Sequence, residues 1–185
     1  METLQRILYN RNPMLILSYL SKNSGARNIS SHIAKELDLS VGSVHQILKD
    51  FESQGLVDST RYGKTIVYDI DRKSSLIKAF RVFDNLVKMD PLFLSIKEIS
   101  RKIVLFGSCA RGEDDYNSDI DILVITDPDN KDRVFDTISG YKSEREIRPI
   151  VLDTVELMEM ESNDRVFYDE IMKGIEVWEG LNGNH

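Results

Sequence analysis

The sequence predicts an α+β protein in two parts: three short helices closed by a hairpin, then a small α/β domain with a mixed sheet. Three observations predict it. In the first third, apolar residues recur at helical spacing between capping residues. After Gly55 the period drops to alternation. From Ile103 onward, short apolar runs take turns with amphipathic stretches, and 185 residues are ample for two small domains.

Asn12-Pro13 is a helix start, a capping side chain ahead of a proline at the first helical position. Ile16, Leu17 and Leu20 follow at helical spacing until Asn23, Ser24 and Gly25 end the run. Ser30 is placed to cap a second helix facing inward through Ile33, Ala34 and Leu37, and Asp38-Leu39 makes a tight turn. Ser40 is placed to cap a third, with Val41, Val44, Leu48 and Phe51 on one face and Gly55 as terminator. Leu56–Thr60 and Thr65–Ile70 then read as strands around a loop, Arg61-Tyr62-Gly63-Lys64. A helix from about Asp71 to Met89 carries the stripe Leu76, Phe80, Phe83 and Val87, with Lys78, Arg81 and Lys88 pointing elsewhere. Asp90-Pro91 interrupts it, and Leu92–Ile99 is a second helical stretch.

Beyond the connector come a strand at Ile103–Phe106, a Gly-Ser turn with a short helix, and a strand at Ile120–Thr126. Asp127-Pro128-Asp129 opens a helix over Lys131–Ser139. A strand at Ile147–Leu152, helices at Val155–Met160 and Asp164–Met172, and an end strand Ile175–Trp178 complete the chain. The domain organisation is therefore 1–71, a helical connector 72–92, and 93–185.

Composition narrows the function. With 41% hydrophobic and 30% charged residues this is an ordinary folded chain, not a disordered or collagen-like one. No apolar run approaches the roughly 20 residues of a membrane span and no signal peptide precedes the first polar stretch, so a cytoplasmic protein with no membrane partner is expected. One cysteine, Cys109, excludes a disulfide scaffold and a four-cysteine zinc site. It reads as a small helix-start residue, since no histidine is placed to activate it. His32 and His45 have no companions at metal spacing, and His185 is terminal. The net charge of −7 lies wholly after residue 71, because residues 1–71 hold eight basic and eight acidic side chains. Indiscriminate binding to a phosphate backbone is excluded, and any DNA contact has to be local.

Helix, helix, tight turn, helix and basic-tipped hairpin over residues 12–70 resembles a winged helix-turn-helix. That resemblance implies double-stranded DNA as partner. The outward face of the third helix, Ser43, His45, Gln46 and Lys49, would read bases, and Arg61 and Lys64 on the wing would grip the backbone. The stripe Leu76, Phe80, Phe83 and Val87 reads most simply as packing against its own domains, with a homodimer as the alternative, since paired winged helices address two half-sites.

The chemistry sits in the second part. Gly107-Ser108 ends an apolar strand and opens a helical turn, where backbone N–H groups favour an anion and glycine lets a phosphate approach. Arg111 follows within reach of a polyphosphate, although pairing with Glu113 or Asp114 competes; Glu113-Asp114-Asp115 reads as a solvated loop. Asp119 and Asp121 stand two apart at a strand start and project from one face, repelling each other unless a cation lies between them. Hard oxygen ligands beside phosphate suit magnesium.

Gly-Ser, ten intervening residues and Asp-x-Asp, over roughly residues 93–180, resembles the minimal nucleotidyltransferases of the DNA polymerase β superfamily. The resemblance implies a nucleoside triphosphate such as ATP held by Gly107, Ser108 and Arg111, and magnesium on Asp119 and Asp121. An acceptor nucleophile, on a protein or a nucleic acid, would attack the α-phosphate. The family often carries a third carboxylate on a later strand; the position that aligns holds Arg148, with Glu146 on the same face as its substitute and Asp153 on the opposite parity. Two other functions fit the same residues: a transcription regulator whose degenerate transferase domain only senses nucleotide, and an antitoxin-like protein with a toxin partner.

Overall fold

A computed structural model describes residues 12–23 and 28–180. Ser24, Gly25 and His185 lie outside the described residues. The chain divides into two compact units, residues 1–84 and 85–185, with the division inside one long helix. Among the described residues no helix is long and apolar enough to cross a membrane.

In the first unit, α1 (Asn12–Lys22), α2 (Ser30–Glu36) and α3 (Val41–Ser53) precede the hairpin β1 (Asp58–Tyr62) and β2 (Thr65–Asp69). Their apolar faces meet in a core of Ile16, Leu20, Ile33, Ala34, Val44, Leu48, Val57 and Tyr68. Ser40 caps α3 as expected, its Oγ accepting from the Ser43 N–H at 3.1 Å. Gly55, at φ +69°, closes that helix: its N–H donates to Glu52 and the Leu56 N–H to Phe51, the paired bonds of a left-handed terminus.

Four expectations for this unit are corrected. Ser30 does not cap α2: Ile29 holds the cap position without a side-chain bond, and Ser30 hydrogen-bonds with Tyr68 instead. The hairpin loop is two residues, not four, because Tyr62 pairs with Thr65 and glycine at φ +62° supplies the first turn position; Arg61 therefore lies in β1. The long helix α4 (Ser75–Ile96) starts after a turn in which Asp71 Oδ1 accepts from the Lys73 N–H. Its stripe is also different. Val87 is buried and Phe80 half-buried as expected, but Leu76 is 65% exposed and Phe83 38%, whereas Ile77, Arg81 and Asp84 are buried. The Arg81 guanidinium donates to the Ser21 carbonyl and Lys22 pairs with Asp84 at 3.4 Å, so polar anchors set the helix rotation.

In the second unit, β3 (Lys102–Phe106), β4 (Ile120–Ile125), β5 (Ile147–Leu152) and β6 (Ile175–Glu179) form a mixed sheet in the order β5-β4-β3-β6. β4 runs parallel to β5 and antiparallel to β3. Between the strands lie α5 (Gly107–Arg111), α6 (Lys131–Ser139), α7 (Thr154–Asn163) and α8 (Arg165–Met172). One sheet face, with Ile103, Leu105, Ile120, Ile122 and Val124, packs on Val134 and Ile138 of α6 and on Met89, Leu92, Phe93 and Ile96 of α4. The other, with Val104, Phe106, Leu123 and Ile125, packs on Leu157 and Met160 of α7 and Ile171 of α8. The α4 contacts explain another correction: Pro91 lies inside the helix without ending it, since burial of Met89, Leu92, Phe93 and Ile96 on both sides of it outweighs the lost backbone bond. Pro149 is tolerated because β5 is an edge strand.

Candidate functional site

Alternation along β4 sends Ile120, Ile122 and Val124 to the α4/α6 face and Leu123 and Ile125 to the α7/α8 face. Asp121 shares parity with Leu123, so its carboxylate emerges on the α7/α8 side where the strand begins. Antiparallel register sets Phe106 opposite Asp121, which carries the next residue, Gly107, against that carboxylate. Gly107 adopts φ +69°, and a β-carbon there would lie 3.3 Å from Asp121 Cγ and closer still to Oδ2. No other residue satisfies both demands.

Ser108 is half-buried in the first turn of α5, and its carbonyl accepts from the Gly112 and Glu113 N–H groups. Cys109 is fully buried, and its thiol donates to the Asp119 carbonyl at 3.4 Å, tying the turn to the segment that carries the first acid. Gly107, Ser108, Asp119 and Asp121 are thereby brought to one end of the sheet.

Parallel register sets Arg148 opposite Asp121, so the two side chains share a face. Arg148 Nη1 stands 2.8 Å from Asp119 Oδ2, and its Nε 3.5 Å from Glu146 Oε1. Burial raises the Asp121 carboxyl above the usual range and the Asp119 charge adds to the rise, opposed by Arg148 and Arg111. Glu146 sits just before β5, exposed, with its carbonyl accepting from the Ile120 N–H.

Arg111 is held between Glu113, at 3.1 Å, and Glu170 on α8, at 2.7 Å. Asp114 is the larger surprise. It is not in a solvated loop but wholly buried: Arg145 Nη1 donates to its Oδ2 at 2.7 Å and Asn85 Nδ2 to its Oδ1 at 3.0 Å. Arg145 also donates to Asn85 Oδ1, and Asn85 to the Cys109 carbonyl, so one polar network spans the turn and the loop leading to Asp119. Nothing in an acidic run announces that its middle member is buried. Asp153 has a structural role as the N-cap of α7 in a capping box with Glu156, and Lys131 at 2.8 Å holds its carboxyl below the usual range.

Asp119 and Asp121 are the residues that could hold a divalent cation: both are hard oxygen donors, the charge of the first is felt by the second, and Arg148 is the cation beside them in this structure. No group of three or more ligand side chains forms among the described residues. Any remaining positions of a metal's shell would fall to water or substrate.

The DNA-contact candidates belong to the first unit. Gln46 and Lys49 are exposed on α3, Gln46 donating to Asp50 Oδ1 at 3.0 Å, and Arg61 and Lys64 are exposed on the hairpin. Ser43 and His45 are half-buried rather than outward, because at about 100° per residue they flank the apolar stripe.

Residues 92–175 match the family model of the nucleotidyltransferase domain. A crystal structure described as a "putative nucleotidyltransferase" from Sulfolobus solfataricus aligns at 21% identity, covering 59% of this chain and 93% of that one, with a TM-score of 0.39. No curated protein matches the chain.

Proposed function

We propose that the domain over residues 92–175 transfers a nucleotide from ATP or another nucleoside triphosphate to an acceptor on a protein or a nucleic acid. The contact between the Asp121 carboxylate and Gly107 carries this reading, because it seats an acid beside a strand-to-helix turn whose first backbone amides suit an anion. The Gly107 and Ser108 amides and the Ser108 hydroxyl bind the polyphosphate, and Arg111 joins them by leaving its pairing with Glu113 and Glu170. Asp119 and Asp121 would hold magnesium, which when bound supplies positive charge to the polyphosphate. The acceptor attacks the α-phosphorus in line; the bond to the bridging oxygen breaks and pyrophosphate leaves with the electron pair. Glu146 would take the acceptor's proton once it leaves Arg148.

Incubation with α-labelled triphosphates, magnesium and candidate acceptors tests this. Label transfer that Asp119→Asn and Asp121→Asn both abolish supports it, and transfer that survives both substitutions refutes it.

A second reading is favoured by Arg148. A guanidinium on Asp119 and Glu146 occupies the carboxylates that catalysis needs, which suits a regulator that binds nucleotide without transferring it. Saturable nucleotide binding with no label transfer distinguishes it. Under either reading the first unit binds double-stranded DNA, as its helix-and-hairpin order and the exposed Gln46, Lys49, Arg61 and Lys64 support. Lys49→Ala weakens that binding and Arg61→Ala lowers its salt dependence; unchanged affinity in both refutes it.

A further inference from the structure

We propose that Arg148 is a resident counter-cation of the carboxylate pair, so that a divalent ion enters by displacing its guanidinium from Asp119. The proposal rests on the reading of Asp119 and Asp121 as metal ligands.

Four observations converge on it. Register places Arg148 opposite Asp121 on the same sheet face, so backbone pairing alone delivers a cation to the acids. Nη1 contacts Asp119 Oδ2 at 2.8 Å, the distance of a charge-assisted hydrogen bond. Asp121, by contrast, is seated against Gly107, which limits its movement on that side. Finally, Glu146 lies 3.5 Å from Nε, a ready landing place for the guanidinium once Asp119 is taken.

Exposure makes the exchange cheap. Arg148 is 59% exposed, and an ion pair in that setting is weak and screened. Arg145, only 9% exposed and bonded to buried Asp114, is the opposite case of an arginine built to stay. An arginine never sheds its proton, so a metal gains Asp119 only by competition and not by deprotonating the rival. Arg111, held by Glu113 and Glu170, acts on Asp121 from farther off and does not replace this contact.

Titration with Mn2+, followed by the paramagnetic resonance of the unbound ion and without nucleotide, tests the idea on the full chain. Arg148→Ala and Arg148→Gln are expected to bind Mn2+ about two- to fivefold more tightly than the parent, the size of an exposed ion pair. Arg165→Ala, which removes an arginine from the α8 surface, matches the parent. Asp119→Asn combined with Arg148→Ala loses the gain. Equal affinity in Arg148→Ala and the parent, or a gain that persists when Asp119 is also replaced, overturns the proposal. A fluorescent ATP analogue added to the same proteins reads the nucleotide proposal separately: its failure to bind rejects that reading and leaves the metal comparison intact.

Discussion

Replacing Gly107 by alanine probes the contact on which the site is built. The φ of +69° costs an L-residue about 1–2 kcal/mol. The new methyl also lies 3.3 Å from Asp121 Cγ and overlaps Oδ2, so the carboxylate or the turn has to shift, at about 1–3 kcal/mol for overpacking. The expected loss is therefore about 2–5 kcal/mol in the parent. In an Asp121→Ala background only the β-carbon remains, 3.4 Å away, and the loss falls to the backbone term of about 1–2 kcal/mol. The difference, a coupling of about 1–3 kcal/mol, is the measurable quantity. Urea unfolding followed by the fluorescence of Trp178 reads it, since the chain's one tryptophan lies in β6 of the same sheet. An equal cost of Gly107→Ala in both backgrounds refutes the carboxylate contact.

Arg145→Ala removes the guanidinium from buried Asp114 and from Asn85, and should cost about 3–5 kcal/mol in the same unfolding assay. For pH, the Asp121 carboxyl is raised in the folded state, so folding favours its protonated form and stability from this group rises as pH falls from the raised value toward the ordinary one. Asp121→Asn should therefore be more stable than the parent at neutral pH, with the gap closing through that acid window; a gap that widens on acidification contradicts the assignment. Cys109, with no exposed surface, should resist an aromatic disulfide reagent in the native protein and react once urea unfolds the second unit. Rapid labelling of the native thiol excludes the buried placement.

Periodicity and punctuation carried most of the local structure. Ser40, Gly55 and the alternation in Ile120–Ile125 announce their elements because caps, left-handed termini and strand parity are read within a few residues. The same parity underlay the reading that Asp119 and Asp121 project together and that Arg148 and Glu146 share a face; of these the structure shows Arg148 in contact with Asp119 and Glu146. The helix around Pro91 was illegible for the converse reason. A proline's local penalty is visible in the chain, while the burial that outweighs it comes from residues of β3, β4 and α6. The rotation of α4 misled in the same way: its apolar stripe pointed one way, but Arg81 and the Lys22–Asp84 pair turned another face inward.

By itself the order of residues determined which elements form, where the strands break, and that a glycine turn and two acids belong to one small α/β domain, because those properties depend on neighbours a few positions away. Only the tertiary structure decided that Asp121 lies against Gly107, that Arg148 reaches Asp119, and that Asp114 is interior. Each of those facts is set by strand register or by a long-range polar network, and the pairing of segments far apart in sequence leaves no local signature.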